Sequence, residues 1–113
     1  MYYIVRYKEP KKHLKGVKNK TIGRIGPFQT LLEAERMLYK SAKNVKRDPD
    51  EGFRLDNAAR NESVEFFNPR MNMVYVKTNT RNEFGKRMYS SFTLPHFKNR
   101  IDQKHSNPFT QII

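Results

Sequence analysis

Cysteine is absent from this chain of 113 residues. That excludes disulfides, thiolate chemistry and every zinc knuckle or ribbon, and it leaves His13, His96 and His105 as the only nitrogen ligands for a metal. No structural metal site is expected. Long apolar runs are missing as well: the longest, Met1 to Val5, ends at Arg6, short of a signal-peptide core and far short of the ~20 residues that span a bilayer. Lipidation motifs are lacking, because Tyr2 stands where myristoylation needs Gly and prenylation needs a Cys. The expectation is a cytoplasmic protein with no membrane contact.

Acidic residues are the next scarcity. Eleven Asp plus Glu face 23 Lys plus Arg, giving a formal charge of +12 and a pI of about 10.1. Apolar residues are sparse too, at 36% of the chain, so the core must be small. Full disorder is not the expectation, since Leu, Ile, Val and Phe together make up roughly 23%, just above the compositional line for disorder. One domain fits the length.

What the chain does contain is a readable series of elements. Met1 to Tyr7 is rich in β-branched and aromatic residues, which predicts a first strand with Tyr3, Val5 and Tyr7 on one face and Tyr2, Ile4 and Arg6 on the other. A Lys-rich stretch from Lys8 to Lys20 leads to a second strand around Thr21 to Ile25. Thr30-Leu31-Leu32-Glu33 forms a capping box. After it Leu31, Ala34, Leu38, Ala42 and Val45 make one apolar stripe on a helix, with Glu33 and Glu35 suited to its positive end and Lys43, Lys46 and Arg47 to its negative end. Asp48-Pro49-Asp50-Glu51 reads as the start of a short second helix to about Arg60, weakened by Gly52. Two strand signals, Ser63 to Phe67 and Met73 to Lys77, flank the turn residues Asn68-Pro69-Arg70-Met71. A last strand is expected over Lys86 to Leu94, after a polar loop from Asn79 to Gly85.

This order, β-β-α-(α)-β-β-β, predicts a small α+β domain over residues 1–94. About five antiparallel strands would pack one face on a single main helix. The tail, residues 95–113, carries Phe97, Ile101, Phe109, Ile112 and Ile113 and is expected to fold back on the domain.

Charge is segregated along the chain, at +7 over residues 1–30, +3 over 31–47, −4 over 48–65 and +6 over 66–113. Lys8, Lys11, Lys12, Lys15, Lys18 and Lys20 share one loop with a single acid, Glu9. Such a loop suits a polyanion, because neutralising phosphates releases condensed counterions. Arg24, Lys86 and Arg87 and the helix cations Lys40, Lys43 and Arg47 would add to it. Rings on the strands, Tyr2, Tyr3, Tyr7, Tyr75 and Tyr89, sit beside cations where bases can stack. The sequence therefore points to a non-enzymatic nucleic-acid or nucleoprotein binder, for DNA or RNA alike.

Two other classes compete. A virus- or mobile-element-encoded protein that docks on a host polymerase, ribosome or nuclease is suggested by the apolar tail and by a Lys- and Asn-rich, Cys-free composition. A metal-independent ribonuclease would use His96 or His105 with Tyr89. The chain has no Walker spacing, dinucleotide fingerprint, nucleophile elbow or His-Glu-x-x-His, so no cofactor is expected.

Overall fold

The computed structural model describes residues 1–8, 20–44 and 50–106. In it the chain runs β1 (Tyr2–Lys8), β2 (Lys20–Phe28), α1 (Leu31–Asn44), β3 (Glu51–Asn57), β4 (Glu62–Asn68), β5 (Met73–Arg81), β6 (Arg87–Thr93) and α2 (Leu94–Ser106). The strands form one sheet in the order β2-β1-β3-β4-β5-β6, with every neighbouring pair antiparallel. The domain is α+β, as the order of elements predicts, with six strands and two helices where about five and one are expected.

The extra strand replaces the expected helix up to Arg60. Phe53 and Leu55 alternate with Gly52 and Arg54 at the period of a strand, and Gly disfavours a helix. The open edge of β1 settles the matter by pairing with β3 over its whole length, from Tyr2 opposite Asn57 to Lys8 opposite Glu51. Asp50 caps no helix and instead meets Arg70 at 3.5 Å. The polar loop expected from Asn79 is also shorter, because β5 continues to Arg81.

The register separates the two faces of the sheet. One row reads Ile25, Ile4, Leu55, Glu65, Val76 and Ser90 across all six strands, and beside it Phe53, Phe67, Val74 and Phe92 form a second. Against this face lie Ala34, Leu38 and Ala42 of α1 and Leu94, Phe97 and Ile101 of α2, all buried in one cluster. Thr30 Oγ1 accepts from the Glu33 amide at 3.2 Å and fixes the start of α1. Phe97 and Ile101 thus extend the core, and the tail begins as a helix packed on α1. A small apolar complement is stretched by using both helices on one face.

Asparagine builds the turns. Asn57 Oδ1 accepts from Ala59 N, Asn68 Oδ1 from Arg70 N and Met71 N, and Asn82 Oδ1 from Phe84 N and Lys86 N. Asn61 and Asn72 take left-handed backbone angles, φ 50° and 53°. Each hairpin from β3 onwards therefore opens on an Asn whose side chain imitates a backbone turn. The Asn richness has a local structural use.

Candidate nucleic-acid interface

The helix-free face carries a different row. Arg24, Val5, Arg54, Phe66, Tyr75 and Ser91 stand in register from one edge of the sheet to the other. Five strand spacings at about 4.8 Å make that row roughly 24 Å long. Alternation along β1 puts Tyr3 and Tyr7 on this face beside Val5, and Tyr89 on β6 pairs with Lys77 on β5. Aromatic rings and cations are thereby gathered on one side without a covering helix.

Specific contacts hold these groups flat. The Arg24 guanidinium carbon lies 5.2 Å above the Tyr3 ring, and the Phe66 and Tyr89 rings stand 5.3 Å apart at 49°. Tyr7 lies across β3, its hydroxyl donating to the Phe67 carbonyl at 3.3 Å. Gly52 makes this possible, since a Cβ there would fall inside the Tyr7 ring. Val5 is only 2% exposed on this face, sheltered between Arg24 and Arg54 across the sheet and Tyr3 and Tyr7 along the strand.

Part of the charge is already answered within the face. Arg54 Nε donates to both oxygens of Asp56, at 2.9 and 3.1 Å, and Lys77 meets Glu62 at 3.6 Å. Such part-exposed pairs are worth about 0–1 kcal/mol, so a phosphate can compete for either cation. Near Tyr3, Arg24 and Arg54 the surface dips into a polar depression of about 240 Å³ that runs to the Asn57–Ser63 turn.

The residues singled out from the sequence are dispersed over three regions. Lys8 and Lys20 pair at the ends of β1 and β2, marking the base of the Lys-rich loop. Lys11, Lys12, Lys15 and Lys18 of that loop, Arg47 at the helix end, and Phe109, Ile112 and Ile113 of the tail lie outside the described residues. Arg24 and Tyr89 share the helix-free face. Lys40 and Lys43 sit on the other side of the molecule, where with Arg36 and Lys98 they border a groove of about 370 Å³ between the helices. Lys86 is exposed in the β5–β6 turn, while Arg87 is half-buried and gives Nη1 to the Thr78 carbonyl at 3.0 Å. His96 borders a surface depression with Phe92, Asn99 and Arg100, whereas Tyr89 stacks on Phe66, so that pair is not brought together.

Sequence reasoning missed a second cluster, under the helices. Glu35 and Glu65 are 0% and 1% exposed. Glu35 is not a first-turn acid facing solvent: its Oε1 accepts from Lys104 Nζ at 2.9 Å. Glu65 stands between Leu55 and Val76 in the apolar row, and its carboxyl is pushed up from 4.5 to about 9. Burial is the largest cause; the negative charge of Glu35 and a hydrogen bond between the two carboxyls add to it, against the opposing pull of Lys104 and Arg100. Glu65 is consequently held as the neutral acid at pH 7, its hydroxyl donating a hydrogen bond to Glu35. The spacing held a signal, because Glu35 lies four residues after Leu31 and three before Leu38, inside the apolar stripe.

Among the described residues no three His, Asp or Glu side chains are grouped as a metal ion requires, and no helix is long and apolar enough to cross a membrane. Neither a protein family, nor a curated protein, nor a solved structure matches this chain.

Proposed function

We propose that the protein binds single-stranded nucleic acid across the helix-free face of its sheet, with the Lys-rich loop between Lys8 and Lys20 adding phosphate-directed affinity. The observation that carries this reading is the row of Arg24, Arg54, Phe66 and Tyr75, flanked by Tyr3 and Tyr89, on a face that no helix covers among the described residues. Flat rings with cations beside them take unpaired bases in a sequence-tolerant way, at about 1–3 kcal/mol for each base stacked. A duplex keeps its bases stacked on each other and offers only its backbone to such a surface.

The test is fluorescence anisotropy with a labelled single strand, as RNA and as DNA, and with the duplex of the same sequence. Single strands should bind more tightly than the duplex. Tyr75→Ala or Phe66→Ala should weaken single-strand binding by about 1–3 kcal/mol and leave the dependence on salt unchanged. Replacing Lys11, Lys12, Lys15 and Lys18 together by Gln should lower the slope of log K against log salt by up to about 3, at ~0.7 per phosphate contact. Equal affinity for duplex and single strand, with no effect of the ring substitutions, would overturn the reading.

A further inference from the structure

Where the start of α1 meets β4, β5, β6 and α2, a cavity of about 220 Å³ is lined by Leu31, Glu62, Glu65, Lys77, Arg87 and Arg100 among others. The Nε atoms of Arg87 and Arg100 are both buried and without a hydrogen-bond partner. A buried donor left unsatisfied costs about 1–3 kcal/mol, more when it is charged. The two guanidinium groups are nonetheless held in place by other contacts. Arg87 Nη1 donates to the Thr78 carbonyl at 3.0 Å, and Arg100 lies 5.2 Å over the Phe92 ring.

The charges around the cavity do not cancel. Glu35 is matched by Lys104 and Glu62 by Lys77. Glu65 is uncharged at neutral pH, because its carboxyl is raised to about 9. Arg87 and Arg100 form no ion pair among the described residues, and the carboxyl that Arg100 faces is Glu65. Planar guanidinium groups suit the oxygens of a phosphate or carboxylate, and they bind them most strongly where water is reduced. The volume decides the size of the ligand. It holds roughly seven waters' worth of liquid at ~30 Å³ each, below the usual 300–1,000 Å³ of pockets that enclose a whole drug-sized ligand.

We propose that this cavity is a phosphate-binding site in which the guanidinium groups of Arg87 and Arg100 grip the oxyanion. The site adjoins the stacking face, since Glu62 and Lys77 border both, but it contains none of the rings of the stacking row. A phosphate could reach it on a small phosphorylated molecule or as the 5′ end of a nucleic-acid strand, and the chemistry of capture is the same for both.

Titration of the intact protein with inorganic phosphate tests the site, followed by thermal shift and by ³¹P line broadening, with chloride at matched ionic strength as the reference. Phosphate should raise Tm above the chloride control. Arg87→Lys and Arg100→Lys keep the charge and lose the planar guanidinium, and each should weaken phosphate binding at least tenfold; Arg36→Gln, on the outer side of α1, should leave it unchanged. A second arm compares a 5′-phosphorylated with a 5′-hydroxyl single strand. Tighter binding of the phosphorylated strand, lost in Arg87→Lys, supports the site and assigns it to strand ends. Equal binding of the two strands, with inorganic phosphate still bound through both arginines, supports it as a site for small phosphorylated molecules. No phosphate effect beyond chloride, or an effect retained in both arginine variants, overturns the proposal. Tyr75→Ala leaves this site untouched, so failure of the stacking reading and failure of the pocket are told apart.

Discussion

Replacing Glu65 by Gln should stabilise the protein at neutral pH, and the gain should grow with pH. In the folded state the Glu65 carboxyl titrates at about 9, and in the unfolded chain it returns to the ordinary 4.5. Between those values the native state holds a proton that the unfolded state has released. Stability then falls as pH rises, by at most about 1.4 kcal/mol for each pH unit. The contribution is fully present below pH 4.5 and lost progressively up to pH 9, the reverse of a salt-bridged carboxylate. From 4.5 to 7 the accumulated cost reaches up to about 3 kcal/mol.

Gln has nearly the same shape as Glu, never ionises, and can donate its amide hydrogen to Glu35 as the acid does. The variant should match the wild type near pH 4.5 and exceed it by up to about 3 kcal/mol at pH 7. Urea unfolding at pH 5, 6.5 and 8 measures this as a gap between midpoints that widens with pH at constant m-value. Taking the difference between the two proteins removes every other titrating group from the comparison. Stability curves that run parallel over this range, or a Gln variant weaker than wild type at pH 7, would refute the neutral-acid assignment. Proton uptake on folding, from calorimetry in two buffers, gives an independent check: close to one proton for wild type at pH 7, and none for Glu65→Gln from this site.

Phe97→Ala should cost about 3–5 kcal/mol by thermal or urea unfolding, since Phe97 is fully buried in the shared core; a loss below 1 kcal/mol would detach α2 from that core. Gly52→Ala should push the Tyr7 ring off β3 and lower stability by about 1–3 kcal/mol, whereas Tyr7→Phe, which removes the hydroxyl that donates to the Phe67 carbonyl, should cost about 0.5–1.5 kcal/mol. A larger loss for Tyr7→Phe than for Gly52→Ala would mean that the hydroxyl, not the fit of the ring over glycine, holds this corner. Thr30→Ala should lower stability by about 1 kcal/mol through the lost cap on α1, and hydrogen exchange should be faster at the first-turn amides alone.

The elements with a strong period were legible in the sequence. β1 and α1 could be read because one alternates and the other repeats an apolar residue every three or four positions. β3 was not, because Asp-Pro-Asp-Glu imitates a helix start, and a strand buried through its middle owes its form to neighbours far away in the chain. β4 was found as a strand, but its faces were ambiguous. Val64 and Phe66 compete with Phe67 for the core, and only the register shows that Phe67 and the charged Glu65 turn inward while Phe66 faces out. Half of the stacking row follows from that single choice. The pairing of Glu65 with Glu35 was hidden for the same reason, as acids are ordinarily assigned to solvent.

The pattern of ion pairs changes the meaning of the charge distribution. The acid-rich stretch 48–65 carries −4 and would give the molecule a negative pole if its acids faced water. Instead Glu51 meets Arg6, Asp56 meets Arg54, Asp50 meets Arg70, Glu62 meets Lys77, and Glu65 is neutral. These acids work as internal counterions for basic side chains on β1, β3 and β5 and in the β4–β5 turn. Among the described residues, cations outside these pairs stand at the margins: Lys20 at the hairpin end, Arg36, Lys40 and Lys43 on the outer side of α1, and the arginines of the cavity. A polyanion is therefore attracted from several directions, and salt dependence reports that attraction without locating it. Position on the surface must come from groups that charge cannot imitate, the rings of Phe66 and Tyr75 on the helix-free face and the planar guanidinium groups of Arg87 and Arg100 at the cavity. Substitutions that leave the net charge unchanged, Tyr75→Ala and Arg87→Lys, are for that reason the ones that distinguish a bound single strand and a bound phosphate from a counterion cloud.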